Sequence, residues 1–200
     1  MDVATFPPTR NEAQISTAEG GCRPMPRSDP EHQVPAGSWA DLEQEAPAIA
    51  RLGRRLLGTG IAFLATVRRD GSPRLHPVCP LICDGELLLG IIDRSPKRAD
   101  LRRDPRCVVH AVPGPGHAEF WVRAVAEPQG PAVARRWADR DRRLALPDGD
   151  TLFRLGLVVA YATIFGPGAD GRPVPDRRSW RSRRTPAGAG RAAAAAVVTR

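Results

Sequence analysis

Apolar and polar positions along the chain change their period several times, and each change marks an element. Ser38 opens the first organised run: S-W-A-D reads as a capping box, and Leu42, Ala46, Ile49, Leu52 and Leu56 follow at helical spacing. Pro47 is expected to kink or divide that helix. Three β-type runs come next, 61–68, 73–82 and 86–92, separated by Asp70-Gly71 and Asp84-Gly85, which are strong hairpin signals. Pro77 and Pro80 are awkward in a central strand, so the second run is expected at an edge or a bulge. A short helix over 96–103 ends at Asp104-Pro105. Strands over 106–112 and 118–126 flank the turn P-G-P-G-H, Pro131 starts a helical run, and T-L-F-R-L-G-L-V-V-A-Y-A-T-I-F reads as a last long strand. Six antiparallel strands with few helices predict a mainly β fold, a closed or partly closed barrel.

Composition sets the limits of that domain. Residues 1–36 hold six prolines, one aromatic (Phe6) and few aliphatics, too little apolar surface to offset their ordering entropy. The last thirty residues carry eight arginines against one acid, Asp176, and the run A-A-A-A-A-V-V. The expected organisation is a disordered extension over 1–36, one folded domain over 37–167 and a basic disordered tail over 168–200. The formal charge of +8 therefore sits mostly in the tail, and the folded part is only mildly basic. Such a tail can hold phosphates weakly. Only Trp180 interleaves it as a stacking residue, so GC-rich coding accounts for its composition better than a nucleic-acid interface.

The four cysteines, at 22, 79, 83 and 107, form no CxxC pair and have no histidine at zinc spacing. They read as buried thiols in a reducing compartment, and no metal site is expected. No signal-like or bilayer-length apolar stretch occurs, so a cytoplasmic location without membrane contact is expected. His110 lies in an apolar strand and reads as a satisfied core residue. His117, in a Pro/Gly loop, reads as solvated. The run R-R-W-A-D-R-D-R-R reads as a solvated helix face with i,i+4 pairs.

The stretch D-R-S-P-K contains the chain's single lysine, Lys97. Ser95 is a good N-cap and Pro96 fits the first helical position. Lys97 then stands in the first turn, where the helix dipole disfavours a cation. Free N–H groups, a hydroxyl and an ammonium there make an anion site suited to phosphate, or else simply a capped surface helix. The residues alone leave both readings open.

F-L-A-T-V-R-R-D-G-S-P-R-L-H-P-V-C-P, then D-G-E-L-L-L-G-I, then S-P-K-R-A-D-L-R-R-D-P-R, in that order, resemble the pyridoxamine 5′-phosphate oxidase-like family of FMN-binding split barrels. The resemblance runs from about Ser38 to Phe165. It implies a six-stranded antiparallel split barrel that forms a homodimer with a flavin at each end of the interface. It further implies that Ser95 and Lys97 hold the flavin phosphate. Arg74, His76, Pro77 and Val78 would line the ring, with Gly90 and Ile91 beside it and Trp121 facing it from a later strand. The basic residues that true pyridoxamine-phosphate oxidases carry at His76 and near Leu81 are missing, and Pro96-Lys97 replaces their Arg-Lys. Vitamin B6 phosphates are therefore not the expected substrate. His76-Pro77-Val78 resembles a looser branch whose members use FMN or a deazaflavin.

No Ser-His-Asp or Cys-His set and no carboxylate pair stands out, so no catalytic residue is singled out. That suits a protein whose cofactor carries the chemistry. The expected function is a flavin-dependent oxidoreductase moving hydride between a nicotinamide or deazaflavin donor and a small organic acceptor. A flavin- or haem-binding module without turnover is the alternative, and a basic-tail nucleic-acid binder the third.

Overall fold

The capping box at Ser38 forms as its spacing predicts. The Ser38 amide donates to Asp41 Oδ2 at 2.7 Å, and the Asp41 amide donates to Ser38 Oγ at 3.1 Å. This computed structural model describes residues 36–168 and 172–183. The expected extension up to residue 35, Cys22 and the last seventeen residues lie outside the described residues.

Pro47 divides the first helical run into α1 (Trp39–Glu45) and α2 (Pro47–Leu57). The strands are β1 (Ala62–Val67), β2 (Pro73–Val78), β3 (Leu81–Cys83), β4 (Glu86–Ile91), β5 (Arg106–Ala111), β6 (Glu119–Pro128), β7 (Thr151–Pro167) and β8 (Pro173–Arg181). Helices α3 (Pro96–Arg103) and α4 (Pro131–Arg140) complete the regular elements, with short 3-10 turns at 115–117 and 142–144. The two hairpins form at the expected dipeptides. Asp84 and Gly85 both take positive φ, 45° and 74°, as a tight two-residue turn requires.

All eight strands belong to one antiparallel sheet, in the order β2-β1-β5-β6-β7-β4-β3, with β8 on β7. The expectation of six strands in a closed or partly closed barrel is corrected to eight strands in a sheet that does not close. The run 73–82 is not one strand. It breaks at Cys79-Pro80 into β2 and β3, which form opposite edges of the sheet. Three steps of chain from Val78 to Leu81 span at most about 11 Å, so the sheet must curl until its two edges nearly meet. Pro77 sits on an edge strand, where its missing N–H breaks no ladder.

Strand β7 is long because it serves two neighbours on one side. Thr151–Leu155 pair with β4, and Val159–Pro167 pair with β8. Gly37 fills the gap between them, exchanging hydrogen bonds of 2.8 and 2.7 Å with Leu157. Strand β8 corrects the domain boundary, since it falls in the stretch expected to be a disordered tail. Its arginines dominate the composition, but Trp180 is buried and its indole N–H donates to Glu45 at 2.8 Å. One buried aromatic on an edge strand outweighs an average taken over thirty residues.

The core lies between the concave sheet and α1–α2. Ile49, Leu52 and Leu56 of α2 face Val109, Phe120, Val122 and Leu157 within one buried cluster. Phe120 meets Trp39 edge to face, with ring centroids 5.9 Å apart. Gly53 makes this approach possible, because a Cβ there would lie 2.4 Å from the Phe120 ring. A smaller cluster of Leu88, Leu144 and Leu152, with Trp137 of α4 beside it, covers the other side of β4. Strand β4 is thus buried on both faces, which is why E-L-L-L-G-I does not alternate. The charges along α4 do not pair i,i+4 as expected. Arg140 instead pairs with Asp84 at 2.6 Å, across on the β3–β4 turn.

The cysteines differ from one another. Cys79 is exposed at the sheet corner, contrary to the expectation of a buried thiol, and Cys83 is half-buried. Cys107 is buried, and that burial, with Asp104 adding in the same direction, pushes its thiol up to about 12. At pH 8 iodoacetamide should label Cys79 in the native protein and leave Cys107 untouched until denaturant is added. Peptide mapping checks this, and equal labelling of both in the native state would contradict it.

Candidate functional site

Period-2 alternation divides the residues expected to line a single ring. On the core face a row runs His76, Leu64, Val109, Val122, Ala160, Trp180 across six strands. Arg74 and Val78 share that face on β2. Val78 and Ile91 are both buried in the main core. His76 stands half-buried at the edge-strand end of the row. Gly90 turns the other way, where a Cβ would sit 2.6 Å from Leu146.

Pro77 and Trp121 lie on the opposite, outer face. A second six-strand row there reads Pro77, Phe63, His110, Trp121, Tyr161, Ser179. Trp121 stacks on Tyr161 with ring centroids 4.1 Å apart and planes 21° apart. His110, expected in the core, belongs to this row between Phe63 and Trp121. Its Nδ1 lies 2.6 Å from the Ala111 carbonyl oxygen. The period-2 signal was present in R-C-V-V-H-A. Valine at both 108 and 109 hid which parity faced inward.

Arg74 is committed elsewhere. Its Nε donates to Asp100 Oδ2 at 2.7 Å, and the same oxygen accepts from Thr66 Oγ1 at 3.0 Å. Arg103 donates to the other oxygen at 3.3 Å. Asp100 is only 3% exposed. Burial works to raise its pKa, but the hydrogen bonds from Arg74, Thr66 and Arg103 outweigh it and hold the carboxyl below the usual range. This cluster ties α3 to β1 and β2. Sequence reasoning missed it because Asp100 reads as one more exposed charge in K-R-A-D-L-R-R.

The start of α3 is braced from the other side. Arg98 pairs with Asp93 and donates to the Gly149 carbonyl at 2.8 Å, while the Asp93 amide donates to Asp150 at 2.8 Å. Ser95 takes the N-cap position with extended backbone but makes no side-chain capping hydrogen bond, contrary to expectation. Lys97 is half-buried in the first turn, and the two acids nearest it in sequence are engaged elsewhere, Asp100 by Arg74 and Arg103 and Asp93 by Arg98. A hydroxyl and an ammonium are thus left at the N-terminus of a helix held rigid by its neighbours. These are the donor types that fit a phosphate, and the residues present are compatible with one. No group of three or more metal-ligand side chains occurs among the described residues, and no helix among them is long and apolar enough to cross a membrane.

A curled antiparallel sheet whose edges nearly meet at a two-residue corner, with helices filling the concave side, defines the split-barrel class. Among solved structures the chain is similar to a Clostridium acetobutylicum protein related to general stress protein 26 of B. subtilis, of the pyridoxinephosphate oxidase family. That match has 12% identity, 71% of this chain, 95% of that one and a TM-score of 0.50. It is also similar to a pyridoxamine 5′-phosphate oxidase-related, FMN binding protein of Nostoc punctiforme, at 13% identity, 70% and 97% coverage and a TM-score of 0.48. A heme binding protein from Mycobacterium smegmatis aligns at 20% identity over 61% of this chain and a TM-score of 0.45, with just over half, 55%, of that protein's length covered. No family model and no curated protein matches the sequence. The fold is that of the pyridoxine-phosphate oxidase-like split barrels.

Proposed function

We propose that this chain binds FMN and acts as an oxidoreductase, moving hydride between a nicotinamide or deazaflavin donor and a small organic acceptor. The observation that carries the reading is the pair of side chains of Ser95 and Lys97, left without partners at a braced helix start while Asp93, Arg98 and Asp100 are engaged. In this reading Lys97 neutralises the cofactor phosphate, and the Ser95 hydroxyl and the Lys97 amide donate to it. Arg74 holds the sheet to α3 through Asp100 instead of contacting the cofactor. The chemistry a flavin supplies is hydride acceptance and return; the protein positions it and excludes water.

The outer face is proposed as the place where two copies meet. Phe63, Leu75, Ile61 and Val112 are exposed on it, Leu75 by 63%, beside the Trp121–Tyr161 stack. Six strands give a footprint of roughly 25 by 20 Å, the scale of one side of a standard protein interface. Monomers rarely leave so continuous an apolar patch uncovered. A second copy brings the same patch, so one covers the other by a two-fold axis.

Lys97→Ala should weaken FMN binding by about 10- to 100-fold, the loss of one charge-assisted hydrogen bond. Riboflavin, which lacks the phosphate, should bind wild type and variant equally well. Fluorescence titration of both ligands checks this, and equal losses for both would remove the phosphate site. The absorbance spectrum of the purified protein tests the broader reading. Flavin bands support it, whereas a Soret band would favour the haem-binding alternative.

A further inference from the structure

We propose that His110 makes self-association of this chain pH-dependent, the dimer loosening as the imidazole takes up a second proton. The inference rests on the reading of the outer face as the meeting place of two copies. His110 lies near the middle of that face, third of six in the row Pro77, Phe63, His110, Trp121, Tyr161, Ser179.

Its neighbours are mainly apolar. On β1 they are Phe63 and Ala65, and along β5 they are Val108 and Val112. On β6, Trp121 is flanked by Glu119 and Arg123, one charge of each sign. Arg106, further along β5, is engaged by Asp104 at 2.6 Å.

The tautomer follows from the one hydrogen bond the ring makes. A carbonyl oxygen only accepts, so the 2.6 Å contact with Ala111 requires a proton on Nδ1. The neutral ring therefore carries its lone pair on Nε2. A second proton adds a full charge and an N–H for which Phe63, Val108, Val112 and Trp121 offer no acceptor, Glu119 being the one carboxylate flanking the ring on this face. In the free chain water solvates that charge. Beneath a second copy it is desolvated, so protonation favours the separated chains.

Each dimer buries two such rings, one from each copy, so association is linked to release of two protons. The dimer Kd should therefore rise as pH falls from 7.5 to 5.5, with a slope of up to about two powers of ten per pH unit, the limit for two linked protons. Sedimentation equilibrium of the full chain at constant ionic strength measures this, with circular dichroism confirming the fold at each pH. His110→Phe should stay dimeric at pH 5.5 with a nearly flat Kd. His110→Gln, which keeps a polar side chain without a charge, should be flat as well and serves if the phenylalanine variant does not fold. A chain that is monomeric throughout would overturn the homodimer reading and this inference with it. A dimer whose Kd is unchanged with pH, or one whose pH slope persists in both variants, would overturn the inference alone.

Discussion

Replacing Asp100 with alanine should destabilise the fold by about 3 kcal/mol or more, because it strands buried donors that now share one carboxylate. Arg74 and Thr66 both donate to Asp100 Oδ2, and Arg103 donates to Oδ1. The aspartate side chain is 5% exposed and that of Arg74 20%, so water cannot readily replace the missing acceptor. Thermal denaturation should show a fall of roughly 10 °C or more in Tm. Asp100→Asn should cost less, since the amide oxygen still accepts. The two variants also separate charge from hydrogen bonding by their pH dependence. The folded-state pKa of Asp100 is depressed, so its stabilisation is complete above the ordinary carboxylate range near 4 and is lost as pH falls through the folded value. The asparagine variant should therefore lose less stability than wild type in strong acid. A variant as stable as wild type at pH 7 would show that the cluster contributes nothing to holding α3 on the sheet.

Phe120→Ala should cost about 3–5 kcal/mol, the range for emptying a fully buried aromatic site. The ring is wholly buried, packs edge to face on Trp39, and occupies the space that Gly53 leaves open on α2. The two positions are coupled. Gly53→Ala alone should destabilise, since its new Cβ would lie 2.4 Å from a ring that cannot move far in a close-packed core. In the Phe120→Ala background the same change should become favourable by up to about 1 kcal/mol, the helix propensity of alanine over glycine. Denaturant unfolding of the four proteins in a double-mutant cycle measures the coupling. Additive effects would mean that α2 does not dock on β6 through this contact.

The resemblance and the hairpin chemistry pointed to the right fold class, but they did not place the ring-lining residues. Arg74, His76, Pro77 and Val78 follow one another within five positions and cannot share a face, because side chains alternate along a strand. The resemblance set them along one ring, and the pleat divides their side chains between two faces. The committed state of Arg74 was equally hidden, since its partner lies 26 residues away on another element.

What the sequence determined by itself was local. Capping at Ser38, division at Pro47, turns at Asp70-Gly71 and Asp84-Gly85, and the start of α3 at Pro96 all depend on backbone preferences that neighbouring residues set. The tertiary structure alone decided what depends on partners distant in the chain. It made 73–82 into two opposite edges, drew Trp180 and β8 out of an arginine-rich stretch, buried β4 on both faces and turned His110 outward. Each of these follows from which surfaces the curled sheet leaves for burial, a property of the whole sheet that no short window of sequence contains.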